Sequence, residues 1–494
     1  MRGLACLAVV FVVASVAAQV VERPRPAGWD RLVPGGRFMD RFEVATPIGA
    51  ATANCWGGEN VKPRDVRNGI EDAEYSYWGG NIVGERGTGN GERGTGKRDR
   101  FHFFVARWKE SEPRGHMFWP RSEIAHAVSD RPDGDFKVVE VLGPGHNPEA
   151  FRCRDGSWAV YCIDAKGRAH VYRRESLDCS QIANGTNVHK SQMSNDWRYE
   201  RLKLDLDGKT MIEGESNFSF CVRPEGSVLA VCRGGGIWLS EDGLRPFVRK
   251  SEGRVYPDVA GRFEDPVLWR DEVQYHMVVN DWLGRVAWKL TSPDGFTWTT
   301  QPGEAYTPGI ACVRLQSQPY GGKDNSQLPT PNSQLVTNNW FKFERMRVLQ
   351  DGYGRVIQAN FAVIDCAKKY DKGSDIHSSK NITIPMNQGR RIETFKKTRR
   401  GWEARIAKER GFNPLKDVDV DSLILGPQSM VAFGAGVKAI GTGEAAGDLV
   451  VVFPPVELDS PVVEMLGREK GGRIFFATTR TDGTKLGFFE YKQP

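Results

Sequence analysis

The sequence predicts an all-β chain, a five-bladed β-propeller followed by a small C-terminal β-sandwich. Three observations carry that expectation: one motif grammar recurs five times, turn signals break its apolar runs, and no stretch of the repeat region holds a helical period. Each repeat opens with a short polar or acidic motif, runs into an apolar strand, turns at a Gly or Asp-rich step and returns as a second apolar strand. Such units cannot bury both faces alone. Stacking them around an axis is the economical solution, and five copies imply five blades. Seven shorter blades fit the length too but leave two without the motif, and a β-sandwich or parallel β-helix is the further alternative.

In chain order, the first element is an export signal. Arg2 precedes an apolar run from Leu4 to Ala18 that closes on small residues, so residues 1–18 read as a signal peptide. A secreted or periplasmic location follows. Cys6 stands too near the start for a lipoprotein signal, and no later stretch is apolar for the roughly 20 residues that a membrane span needs.

Residues 19–390 hold the repeats. The first is Ile70-Glu71-Asp72-Ala73 leading to YSYWGGNIV and, past an insertion, FHFFVARW. The second is His146-Asn147-Pro148-Glu149 before AFRCRDGSWAVYCID, and the third Glu213-Gly214-Glu215-Ser216-Asn217 before FSFCVRPEGSVLAVCRG. The fourth is Phe263-Glu264-Asp265-Pro266 before VLWRDEVQYHMVVND, and the fifth Phe343-Glu344-Arg345 before MRVLQDGYGRVIQANFAVID. Val, Phe, Tyr and Trp fill the strands, and Asp155-Gly156, Glu225-Gly226 and Asp351-Gly352 mark hairpins. Residues 84–100, which repeat GERGTG, and residues 316–339, rich in Ser, Asn, Gln and Pro, read as exposed, mobile insertions. From 391 to 494 the grammar changes. A basic run, 396–400, precedes VDVDSLIL, DLVVVF and RIFFATT, which read as a separate β-sandwich whose role is packing or carbohydrate contact.

Charge excludes one partner class. A formal balance of +6 from 68 basic and 62 acidic residues is mild, and the basic residues are dispersed, which argues against nucleic acid. After the signal eight cysteines remain, with no CxxC pair. Cys153, Cys162, Cys221 and Cys232 fall inside apolar strands and read as small buried hydrophobes. Nothing in the sequence sets an oligomeric state.

In a propeller the innermost strands start at one end of a central channel, so the opening motifs converge on one mouth. Asp72, Asn147, Glu213 and Asp265, distant in number, can meet there. Hydrolysis of a glycosidic bond needs that kind of pairing, one carboxyl to protonate the leaving oxygen and one to activate water or attack the sugar. Trp78 offers an indole face for the C–H patches of a sugar. Arg262, beside Glu264, and Lys380 can grip a carboxylate or sulfate. His146 stands at the mouth, whereas His276 is mid-strand and His377 precedes Ser378. The plain alternatives stand beside these readings. Asp72 and Asp265 are equally at home as turn formers, a mid-strand His is usually a hydrogen-bonded core residue, and Glu215 shares a strand face with Glu213.

Taken in order, the five motifs resemble those of the five-bladed propeller glycoside hydrolases, notably families 43 and 117 and more faintly the fructan-cleaving family 32, over residues 40–385. The resemblance implies Asp72 as general base, Glu213 as general acid in its Glu-Gly step, and Asp265 as the residue that orients substrate. Asn147 departs from the pattern, an amide where family 43 carries a carboxylate, and puts the pKa-tuning role of that position in question. By the same resemblance His276 or His377 lines the channel near a bound cation, so a structural Ca2+ fits there although no cofactor is required. The function implied is an exo-acting, inverting hydrolase of plant or algal oligosaccharide or polysaccharide. Its rivals are a glycoside phosphorylase on the same fold and a non-catalytic glycan-binding propeller.

Overall fold

The computed structural model describes residues 26–48, 68–85, 100–177, 196–259, 262–315, 334–337 and 340–491. The signal peptide, Cys55, Cys179 and most of both insertions lie outside the described residues. Among the described residues no helix is long and apolar enough to cross a membrane.

Five antiparallel sheets follow the five repeats. Their first strands are Tyr75–Glu85, His146–Arg152, Ser219–Val222, Phe263–Arg270 and Lys342–Gln350, and in the first, second, fourth and fifth sheets the later strands add outward in chain order. The third sheet is wider, because Leu204–Asp205 pairs in parallel with its outer strand Phe247–Arg249 and Met211–Ile212 adds beyond that. Each first strand touches the first strand of the next sheet, and Lys342–Gln350 returns to touch Tyr75–Glu85. The contacts form a closed cycle, a propeller-like arrangement.

Period-two alternation explains why both faces of every sheet are apolar. Phe103 and Val105 pack toward the fifth sheet, while Phe104 and Ala106 on the same strand pack toward the second. Val228 and Ala230 face the second sheet, and Leu229 and Val231 face the fourth. A fifth cluster, around Trp269, Phe343, Phe361 and Tyr306, joins the fourth and fifth sheets. Each buried Phe or Leu contributes roughly 1.5–3 kcal/mol, so burial at five such interfaces holds the cycle together. Cys153, Cys162, Cys221 and Cys232 are free and buried within these clusters.

The turns after the first strands follow the sequence signals with one shift. Gly156 and Gly226 take left-handed φ values of 93° and 86°. In the fifth sheet the left-handed residue is Gly354, φ 77°, rather than Gly352, and Asp351 Oδ1 caps the turn from Tyr353 N and Arg355 N. The insertion expected over 316–339 has an ordered neck, since Cys312–Leu315 pairs with Gln334–Thr337.

Past the fifth sheet, two four-stranded sheets between Ile392 and Arg480 face each other over one apolar core that includes Phe395, Trp402, Leu425, Phe453, Met465 and Phe475. This unit is fastened to the cycle of sheets by Arg41–Glu464 at 2.8 Å, Arg355–Glu409 at 2.6 Å and Arg391–Glu272 at 3.4 Å. The final residues run back beneath three sheets. Leu486 N donates to Glu272 O at 2.7 Å, Phe488 lies under the Arg270 guanidinium at 4.5 Å, and the Tyr491 hydroxyl donates to Arg152 O at 3.3 Å. Two bridges tie the segments ahead of the first sheet to the fifth, Phe42 to Met386 and Ile70 to Asn381.

Candidate active site

Four of the five first strands are broken at an equivalent place. Register slips between Trp78 and Asn81, His146 and Glu149, Glu264 and Val267, and Glu344 and Arg347, and the residue after the break is left-handed: Gly79 (φ 64°), Asn147 (54°), Asp265 (53°) and Arg345 (60°). Asn217 (φ 50°), just ahead of its strand, completes the set. A left-handed non-glycine residue is strained, and four of them at matched positions mark a functional constraint.

These bulges turn their side chains to the axis, where they join into a ring. Asn147 Nδ2 donates to Asn217 Oδ1 at 3.2 Å, and Asn217 Nδ2 donates to Asp265 Oδ1 at 3.0 Å. Arg345 Nη1 donates to the same Asp265 oxygen, and Arg345 Nη2 reaches Asn147 O at 3.4 Å. One carboxylate orients the whole relay. Because Asp265 only accepts, Asn217 must turn its NH2 group to it, so Asn217 Oδ1 accepts from the Asn147 NH2 group, which sends Asn147 Oδ1 toward the first sheet. Gly79 stands there with no side chain to offer. A Cβ on Gly79 would sit 3.4 Å from Asn147 Oδ1 and 3.5 Å from Arg345 Nε, two buried atoms that have no hydrogen-bond partner.

Immediately before each ring residue comes a side chain of the mouth: Trp78, His146, Ser216, Glu264 and Glu344. Two of them are acids. Glu264 pairs with Arg233 at 2.7 Å and is largely buried. Burial, reinforced by the neighbouring charges of Asp265 and Glu344, raises its pKa to about 7. Glu344 is fully buried and holds its charge. Burial alone would raise its pKa, but Lys368 and Lys342 outweigh that and bring it down to about 2. Lys368 contacts Glu344 directly and Lys342 lies 3.4 Å away. Oxygens of Glu264, Asp265 and Glu344 all lie within 4.8 Å of one another. The turn carrying Gly284 presses on this spot, since a Cβ there would meet Glu344 Oε2 at 2.4 Å.

Aromatic and neutral polar groups line the walls. Lys368 Nζ sits 4.3 Å over the Trp78 ring, and His116 meets Trp78 edge-on at 4.5 Å. His116 pairs with Ser379 Oγ at 2.8 Å and His146 with Ser122 Oγ at 3.0 Å. Burial pushes both imidazoles well below their ordinary pKa, so they are neutral. Trp282 stands at the rim with 48% of its surface exposed, beside Lys342.

The mouth does not suit a calcium ion. Arg233, Lys342, Lys368 and Arg345 already answer the three carboxylates, whereas calcium needs uncompensated oxygen ligands.

Of the residues singled out in the sequence, Trp78, His146, Asn147, Glu264 and Asp265 come together here. Asp72 does not belong to the ring. It closes a turn, accepting from Glu74 N and Tyr75 N at 2.8 Å each and from the Tyr77 hydroxyl, seven residues ahead of the equivalent position, Gly79. Glu213 follows the outermost strand of the third sheet, is 65% exposed and pairs with Arg201 of the second sheet. Arg262 is exposed, and its carbonyl accepts from Trp282 N at 3.1 Å. His276 sits by the far turn of its hairpin, bound to Asp271 at 2.8 Å and stacked on Trp269. Lys380 is buried against Glu71 at 2.8 Å, which leaves no free ammonium for a ligand. His377 lies on a loop above the fifth sheet, 3.0 Å from Asp365. Reading the acids alone missed Arg345, Glu344, Lys342, Lys368 and Arg233. Aligning the repeats on the residue before each apolar strand would have found the first two.

No protein-family model matches the chain, and no curated protein matches it. Among solved structures it is similar to a family 117 glycoside hydrolase produced by the marine bacterium Zobellia galactanivorans, at 11% identity over 70% of this chain and 90% of that one, with a TM-score of 0.39. An α-L-arabinofuranosidase from Lactobacillus brevis is 10% identical over 58% of this chain and 86% of its own, TM-score 0.35. A family 43 enzyme from Xanthomonas citri is 9% identical over 63% and 87%, TM-score 0.33. Likeness of this order assigns no residue roles, and the chemistry rests on the side chains of the mouth itself.

Proposed function

We propose that the chain is a secreted glycoside hydrolase built on a five-bladed propeller, residues 19–390, with a C-terminal sandwich, residues 391–494, that braces its lower face. The observation that carries the reading is the pair at the mouth. Glu264 keeps a proton to about pH 7 while Glu344, its neighbour, stays ionised. Two carboxyls whose environments drive their pKa values apart are the recurrent signature of acid and base assignments in hydrolysis of acetals. Glu264 donates its proton to the leaving glycosidic oxygen as the C–O bond breaks, and the Glu344 carboxylate attacks or stabilises the anomeric carbon. Water, entering where the leaving group stood, then attacks the anomeric carbon, giving a proton to Glu264 as the bond between that carbon and Glu344 breaks and the carboxylate is released. The oxygens of the pair lie within 4.8 Å, closer than the roughly 6.5–9.5 Å that leaves room for water in an inverting pair, so this reading replaces inversion by retention. Asp265 acts beneath the pair, where its charge adds to burial in raising Glu264 and fixes Arg345.

The substrate class is an oligosaccharide or polysaccharide of plant or algal origin, gripped from one end, with Trp282 as an exposed stacking surface. A second reading is a sugar-binding propeller without catalysis. It draws on Gly79, Asn147 and Asn217, three ring positions that bring no carboxylate to the axis. Incubating the purified chain with a panel of plant and algal oligosaccharides, beside Glu264→Gln and Glu344→Gln, decides between them. Product release by the parent alone supports hydrolysis, and binding with no product from any of the three supports the second reading. Proton NMR of the first product anomer reports retention or inversion.

A further inference from the structure

The loop between strands Val356–Ile364 and Ser379–Pro385 feeds the mouth. It carries Lys368, which contacts Glu344, and Asp371, whose Oδ2 accepts from His116 N at 2.8 Å. Its neck brings three different donors together. Asp365 and Cys366 stand at one end and His377 at the other, with an oxygen, the sulfur and a ring nitrogen all within 4.8 Å of one another. A simple Asp–His pair does not account for them. Asp365 Oδ2 lies 3.0 Å from His377 Nδ1, but Asp365 Oδ1 is buried with no hydrogen-bond partner among the described residues, which is costly unless something binds it. Cys366 is a free thiol, and Asp371 and Asp375 add their negative charge to that of Asp365 around it.

We propose that Asp365, Cys366 and His377 form a binding site for a borderline-soft divalent metal, zinc above all, that clips the neck of this loop. A mixed sulfur, nitrogen and oxygen set is what zinc takes at tetrahedral geometry, whereas calcium and magnesium reject the thiol. Three protein ligands leave the fourth position to water. On binding, the Cys366 S–H bond breaks, its proton goes to solvent and the sulfur bonds the metal, while Asp365 and His377 donate lone pairs. No electron is transferred. Tying residue 365 to residue 377 removes loop entropy and holds Lys368 over Trp78 and against Glu344. The site is separate from the acid pair and stands whether or not that pair hydrolyses sugars.

The test is a cobalt(II) titration of the full chain kept reduced. A thiolate-to-cobalt band in the near ultraviolet, saturating at one equivalent and displaced by zinc, is expected. Cys366→Ser should abolish the band, His377→Ala should weaken binding at least tenfold, and Glu264→Gln should leave the spectrum as it is. No band in the reduced, folded chain, or equal binding by the two neck variants, overturns the site. Should the variants fail to fold, the parent suffices. Zinc should slow alkylation of the Cys366 peptide, followed by mass spectrometry, at least fivefold, and an unchanged rate overturns the proposal.

Discussion

Two buried glutamates lie on the same axis at different depths, and burial raises the pKa of both. Glu264 sits above the ring and Glu149 below it. Below, Glu149 is held by one buried charge and by two donors to a single oxygen. Arg347 pairs with it at 2.5 Å, and Ser219 Oγ and Phe220 N donate to it at 2.9 and 2.8 Å. It locks the second, third and fifth sheets together, beside a cavity of about 240 Å3. Above, Glu264 has one arginine, two like-charged neighbours and an opening to solvent. The difference teaches that a perturbed carboxyl is not in itself an active acid. Partners that leave its proton free to move make it one, and partners that pin it between buried sheets make it a rivet.

That contrast can be broken most directly at Glu264. Replacement by Gln should lower kcat by about 100- to 10,000-fold, the usual worth of a positioned acid, without lowering the melting temperature. Glu149→Ala should do the reverse. It leaves the Arg347 guanidinium buried and uncompensated, which costs about 3–5 kcal/mol in denaturant unfolding while the folded fraction keeps its kcat. A parent whose rate survives Glu264→Gln but collapses with Glu149→Ala would exchange the two roles.

Next in size is the response to pH. Activity should fall tenfold per unit above about pH 7 as Glu264 loses its proton. Asp265→Asn removes a negative neighbour, so Glu264 releases its proton more easily and the alkaline limb moves toward acid, a several-fold loss at neutral pH. Stability carries the same sign. Between about pH 4.5 and 7 the folded chain holds a proton that the unfolded chain has released, so stability declines as pH rises through that window, and Glu264→Gln should flatten the decline. The smallest effect belongs to Glu213. Its exposed pair with Arg201 predicts that Glu213→Gln changes stability by less than about 0.5 kcal/mol and the rate by less than twofold.

The repeat made the sheets legible, because alternation is local. Phe103, Phe104, Val105 and Ala106 announce two buried faces from four adjacent letters. The mouth was legible only where the motif and the bulge coincide, as at His146-Asn147-Pro148 and Glu264-Asp265-Pro266. In the first repeat they part company. Asp72 looks like the motif, but the bulge falls at Gly79, inside what reads as plain strand, and a missing side chain carries no chemical signature. Lys368 and Arg233 come from segments outside the motifs, so only the closing of the cycle brings them to Glu344 and Glu264. Glu213 misled for the opposite reason: its Glu-Gly step lies just past a strand annexed to the outer edge of the third sheet.

The clasp between Arg41 and Glu464 joins residues 423 positions apart. During synthesis at about 5–20 residues per second, the first sheets must wait on the order of tens of seconds before their last partners emerge. Through that interval the edges that Phe42 and Met386 later cover are bare, so dilution or a holding chaperone at the moment of refolding should raise the yield of active chain more than any change to the finished molecule.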